Sequence, residues 1–119
     1  VVVHAQAPMS AAQAALRHRQ FAIYADIART SPDPVAFIGD FNCTPRSPAW
    51  WALERDGLQR SAGWASATWP AWSGVMGIPI DQVLGRGIAL APIATFAQAG
   101  SDHRGISFRV SASGNQAGR

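Results

Sequence analysis

The stretch Val35-Ala36-Phe37-Ile38-Gly39-Asp40-Phe41-Asn42 decides the reading of this chain. An unbroken apolar run, Val35 to Ile38, follows a turn over Thr30 to Pro34 that holds two prolines, and it reads as a buried strand ending at Gly39. Asp40 and Asn42 come where the strand runs out. Upstream, Val1 to His4 is a second β-branched run, broken by Ala7-Pro8. Between the two, Ser10 is placed to cap a helix reaching about Arg29, with Leu16, Phe21, Ile23, Tyr24 and Ile27 as its apolar face and Arg17, Arg19, Gln20 and Asp26 mostly elsewhere.

Downstream, Ser47-Pro48 has the form of a helix start, and the helix runs to Gly57. Leu58 to Gly77 has no clear period and reads mostly as loop. Ile78–Leu84, Ile88–Phe96 and Ile106–Ala112 are strand candidates. The order strand, helix, strand, helix, then three strands predicts an α/β (α+β) layer in which helices cover one face of a mixed sheet. Residues 1–112 read as one domain and residues 113–119 as a flexible tail.

Composition narrows the class. Of the 119 residues, 48% are hydrophobic and 14% charged, which excludes a charge-rich disordered chain. No apolar run approaches the roughly 20 residues needed to cross a bilayer, and no charged-then-apolar leader opens the chain. The net charge of +3 comes from arginines alone, scattered rather than clustered, which is weak support for a nucleic-acid surface. Cys43 is the only cysteine, so no internal disulfide forms and the compartment stays open.

Three further segments share the design of the opening stretch: Ile80-Asp81-Gln82, Ser101-Asp102-His103-Arg104 and Val2-Val3-His4. Each is expected to be an apolar strand that delivers polar residues at its C-terminal end, where a sheet can present reactive groups to a cleft. Taken singly they have plainer explanations: Asp-Phe-Asn as a turn, Asp102 as a cap, His4 and His103 as surface histidines. Together, Asp40, Asn42, Asp81 and Asp102 with His4 and His103 make a set of oxygen and imidazole groups. Hard oxygens suit Mg²⁺ or Mn²⁺, and imidazole beside carboxylate suits proton transfer. One cysteine and dispersed histidines give no zinc spacing.

Gly39-Asp40-Phe41-Asn42, Ile80-Asp81 and Ser101-Asp102-His103, in that order, resemble the endonuclease/exonuclease/phosphatase family, the deoxyribonuclease I-like group. The resemblance runs from about Val1 to Val110 and includes Thr44-Pro45 after Asn42. It implies half of a four-layer α/β/β/α sandwich and a metal-dependent phosphoesterase of nuclease or phosphatase type, hydrolysing a phosphodiester or phosphomonoester. By the same resemblance Asp40 orients and helps deprotonate the attacking water. Asn42 hydrogen-bonds the scissile phosphate, and His103 contacts it with its ring held by Asp81. His4 contacts phosphate or assists proton transfer, and Asp102 ligates Mg²⁺ or Mn²⁺. The family's metal-binding glutamate comes from strands before the His4 strand. Glu54, the only glutamate, lies after the Asp40 strand and is not that ligand. The resemblance thus implies that only the C-terminal half is present and that the fragment alone is inactive.

The implied substrate is a phosphate ester in a nucleic acid, a phospholipid or an inositol phosphate. The implied partner is the N-terminal half. The competing expectation is a non-catalytic α/β interaction domain on the same fold. The half-fold reading also predicts an uncovered sheet face bearing Val1, Val3, Val35, Phe37, Val83 and Ile106, hence self-association. Trp50, Trp51, Trp64, Trp69 and Trp72 are expected to pack the long loop onto the sheet rather than stack on bases or enter lipid.

Overall fold

The computed structural model of the chain describes residues 1–60 and 66–112. Strand β1 (Val2–His4) is followed by helix α1 (Ala11–Thr30), β2 (Val35–Asp40), α2 (Trp50–Arg55), β3 (Gln59–Arg60), a 3₁₀ segment (Ala71–Met76), β4 (Asp81–Arg86), β5 (Ile88–Phe96) and β6 (Gly105–Ala112). The sheet order is β1-β2-β4-β3, with β1 parallel to β2 and the other pairs antiparallel, and β5-β6 form a separate two-stranded sheet. The result is a mixed sheet with helices packed on it. The proposed tail 113–119 and residues 61–65 of the long loop, Trp64 among them, lie outside the described residues.

Helix α1 begins as its sequence requires: the Ser10 hydroxyl accepts from the Gln13 N–H at 3.2 Å. Its buried stripe, however, is Arg17, Phe21, Ala25 and Ala28, while Leu16, Ile23 and Ile27 are exposed. Alanines at turn spacing let the helix approach the sheet closely, and the aromatics of that stripe fill the remaining space. Phe21 meets Phe41, Trp50 and Tyr24 at ring-centroid distances of 6.0, 5.8 and 6.1 Å. Val3, Phe37, Leu53, Leu58 and Leu84 complete this core. Burying Trp50, Phe21, Phe37 and Phe41 removes roughly 150–250 Å² per ring from water.

Several expected boundaries move, each for a physical reason. Helix α2 starts at Trp50 because Ser47-Pro48-Ala49 form a turn, with Trp50 N–H donating to Ser47 O at 3.2 Å. β4 begins at Asp81, not Ile78: Pro79 has no N–H for a ladder, and Ile78 bridges to Trp69 instead. β5 shifts register between Pro92 and Ala94 for the same want of a donor. β3 and the 3₁₀ segment arise inside the stretch expected to be loop.

The predicted open sheet face is also corrected. Val3, Phe37 and Val83 are buried and Val35 and Ile106 are partly so; of the six, Val1 alone is exposed. Val3 and Phe37 point to the layer that α1 and α2 cover. The prominent exposed apolar residues are instead Val2, Trp72, Val75 and Met76.

Candidate active site

Gly39 sets the first half of the site. Its φ of +141° lies outside the range side chains favour, and a Cβ there would fall 2.1 Å from Val3 O. Only glycine lets β1 lie against β2 in the register that puts His4 opposite Asp40. Beyond Asp40 the chain turns through Asn42, at φ 47°, a left-handed conformation that asparagine tolerates. Asp40 then accepts twice from Asn42: the backbone N–H to Oδ1 at 2.7 Å and Nδ2 to Oδ2 at 3.0 Å. Asn42 Nδ2 also donates to Ala5 O at 2.8 Å. From beneath, the buried Arg17 donates to Asn42 O at 2.6 Å, fixing the turn to α1.

The second half comes from the antiparallel partner. Asp81 pairs with Asp40 across β2 and β4, so the N-terminal start of β4 lies beside the C-terminal end of β2. His103 follows in the β5–β6 connection, just before β6. Only β1 and β2 therefore deliver their polar groups from C-terminal ends, because Asp81 opens β4 and His103 comes just before β6. His103 Nδ1 lies 2.8 Å from Asp81 Oδ2, and its Nε2 lies 4.0 Å from Asp40 Oδ2. His4 Nε2 approaches the same oxygen at 3.9 Å, with its side chain 84% exposed.

Electrostatics follow from these placements. Burial raises the Asp40 pKa above the usual carboxylate value, with the nearby Asp81 charge adding to it against the Asn42 N–H and the two histidines. Burial would lower that of His103, but the hydrogen bond and charge of Asp81, with Asp40 and Asp102, outweigh it and raise the value. Asp102 is solvent-exposed and held below the usual range chiefly by the indole of Trp69, whose Nε1–H donates to its Oδ2 at 3.1 Å.

Among the described residues no group of three or more His, Cys, Asp or Glu side chains is placed to hold an ion. Asp102 is one exposed carboxylate, and Glu54 is engaged by Arg60 at 2.7 Å on α2. A single carboxylate does not supply the charge and oxygen count that a dehydrated Mg²⁺ requires. The described residues do not fit a complete divalent-metal site.

Two features were not read from sequence. Thr68, fully buried, takes the N–H groups of Ile80 and Asp81 on its hydroxyl at 3.1 Å each. Arg17, expected off the apolar face, is the buried support of Asn42. Neither has a periodic signal; a hydroxyl in a small-residue loop and one arginine among ten look like surface residues. The tryptophans divide. Trp50 is core, Trp69 sits beside His103 with ring centroids 6.5 Å apart, and Trp51 and Trp72 are exposed, contrary to the packing expectation. The 3₁₀ segment projects Trp72 away from the sheet rather than onto it.

Comparisons bear on these observations. The family description "Endonuclease/Exonuclease/phosphatase family" matches residues 1–103. A solved structure of beta toxin 275-280 from Staphylococcus aureus superposes with a TM-score of 0.62 at 16% identity. The alignment covers 91% of this chain and 50% of the toxin chain, so the chain spans about half the length of that structure. Among curated proteins none matches the chain significantly.

Proposed function

The chain belongs to the endonuclease/exonuclease/phosphatase family, and from that membership we propose that it carries the acid–base half of a phosphoesterase that hydrolyses its substrate by in-line attack of water. Proteins of this family are generally hydrolases of phosphoester bonds. The observation that supports the reading most is His103, held at Nδ1 by Asp81 at 2.8 Å with Nε2 turned toward Asp40 at 4.0 Å.

In this reading Asp81 accepts from the His103 Nδ1–H and favours the imidazolium, whose Nε2–H is offered to a phosphoryl oxygen. Asp40 accepts the proton of the attacking water. The water oxygen bonds to phosphorus as the bond to the leaving oxygen breaks, and that oxygen collects a proton from His4 or from solvent at the exposed rim. Asn42 acts on Asp40 rather than on phosphate: both Nδ2 hydrogens are already given, to Asp40 and Ala5. Its contribution is to keep the carboxylate aimed.

The family is typically divalent-metal dependent. When bound, such an ion neutralises the phosphate charge that otherwise resists attack. Asp102 would supply one oxygen ligand to Mg²⁺ or Mn²⁺, and the others, a glutamate first among them, would have to come from outside this chain. The substrate class stays among nucleic acid, phospholipid and inositol phosphate.

Hydrolysis of bis(4-nitrophenyl) phosphate by the full-length protein tests the proposal. Turnover with Mg²⁺ that disappears with EDTA and falls about 10²–10⁴-fold in Asp40→Asn is expected. Absence of turnover on mono- and diesters with either Mg²⁺ or Mn²⁺ rejects it.

A further inference from the structure

The His103–Asp81 pair is built from two chain segments that are not strand neighbours, and something must set their spacing. β4 has β2 on one side and, among the described residues, β3 on the other, paired at Leu84 and Gly85. Phe41 N–H donates to Ile80 O at 3.0 Å, which makes Asp40 and Asp81 a non-hydrogen-bonded pair and turns the Asp81 N–H away from β2. Among the described residues that N–H meets no strand.

Thr68 meets it. Its Oγ1 accepts from Ile80 and Asp81 at 3.1 Å each and donates to Ile78 O at 3.4 Å, while its backbone N–H donates to the same carbonyl at 3.1 Å. Its own carbonyl accepts the N–H of Arg104, the residue after His103, at 2.8 Å. Next along, Ala71 N–H donates to Asp102 O, and the Trp69 indole to the Asp102 carboxylate. One fully buried residue is thus bonded through its hydroxyl to the backbone of Asp81 and through its carbonyl to the backbone beside His103.

We propose that Thr68 is the positioning residue of the proposed catalytic pair: it ties the backbone of Asp81 to the backbone beside His103 and sets the distance between them. It touches neither substrate nor reacting atoms. This inference rests on the phosphoesterase reading, and its test is chosen so that the two can fail separately.

Thr68→Val keeps the shape and removes the acceptor, and Thr68→Ser keeps the acceptor and removes a methyl. In the full-length protein, with bis(4-nitrophenyl) phosphate as probe, Thr68→Val is expected to lower kcat by about 10-fold or more while KM moves less than about 3-fold, since misplacement of a pair affects the chemical step more than binding. Thr68→Ser is expected to recover most of that rate. A folded Thr68→Val with normal kcat, an effect on KM alone, or a Ser variant as slow as Val overturns the proposal. Amide hydrogen exchange provides the readout that needs no activity. The Ile80 and Asp81 amides exchange slowly in the wild type and in Ser, and fast in Val. Should Val fail to fold, the wild-type and Ser amides decide: unprotected amides reject the clip. If every protein is inert toward phosphate esters yet the exchange pattern holds, the activity reading fails and the clip stands.

Discussion

The two arms of the candidate site are held in different ways. The Asp40 arm rests on packing: β2 lies over the Phe21, Phe37, Phe41 and Trp50 cluster, and Arg17 secures the turn from below. The Asp81–His103 arm rests on hydrogen bonds that Thr68, Trp69 and Ala71 make between segments without a shared ladder. An apolar core tolerates little change in volume but is indifferent to which backbone amide is free. A hydrogen-bonded clip is the reverse. Damage to the first arm should appear as lost stability, and damage to the second as lost rate.

The largest expected effect tests the packed arm. Phe41→Ala opens a cavity at a fully buried ring and should cost about 3–5 kcal/mol, read by denaturant unfolding. A loss below about 1 kcal/mol would show that the aromatic cluster is not what carries the sheet. His103→Ala tests the other arm. Turnover should fall about 10²–10⁴-fold while unfolding moves by less than about 1 kcal/mol, because its ring is partly exposed and contributes little packing. A large stability loss with unchanged rate would erase the contrast.

A pH profile sharpens it further. Asp40 must be ionised to act as base, and burial raises its pKa, so kcat/KM should fall on acidification at a pH above the ordinary carboxylate value of 3.8. Stability moves the opposite way: the folded state holds that proton more tightly, so the group favours folding at low pH, and that contribution fades as pH rises through the folded pKa. Activity constant down into the ordinary carboxylate range would contradict the assignment. The smallest effect belongs to neither arm. Ser10→Ala should cost about 1 kcal/mol through the lost cap of α1 and leave turnover unchanged.

The same contrast explains what could be read from sequence. The strand β2 was legible because Val35 to Ile38 is a continuous apolar run, although Phe37 alone on it is fully buried, and the cap of α1 was legible because Ser10 precedes a long periodic segment. Asp40, Asp81 and His103 stood out through their ordered motifs. The orientation of α1 was not legible, since Ala25 and Ala28 are chosen for closeness and not for hydrophobicity, and Leu16, Ile23 and Ile27 drew the apolar face to the wrong side. Thr68 was hidden for a related reason. Its role depends on where the Ile80 and Asp81 amides point, and that is a property of the sheet rather than of the local residues.

Asp40 and Asp81 stand directly opposite each other in the β2–β4 register, close enough for the Asp81 charge to raise the Asp40 pKa. Like charges at facing positions cost a sheet about 0.2–1 kcal/mol, and almost any neutral β-branched pair there would hold the strands together better. Selection of this chain for heat resistance alone would accordingly tend to remove that pair first. The survivors would be sturdier scaffolds with nothing left to accept a proton, so a thermostabilised variant is best chosen with turnover measured at every round.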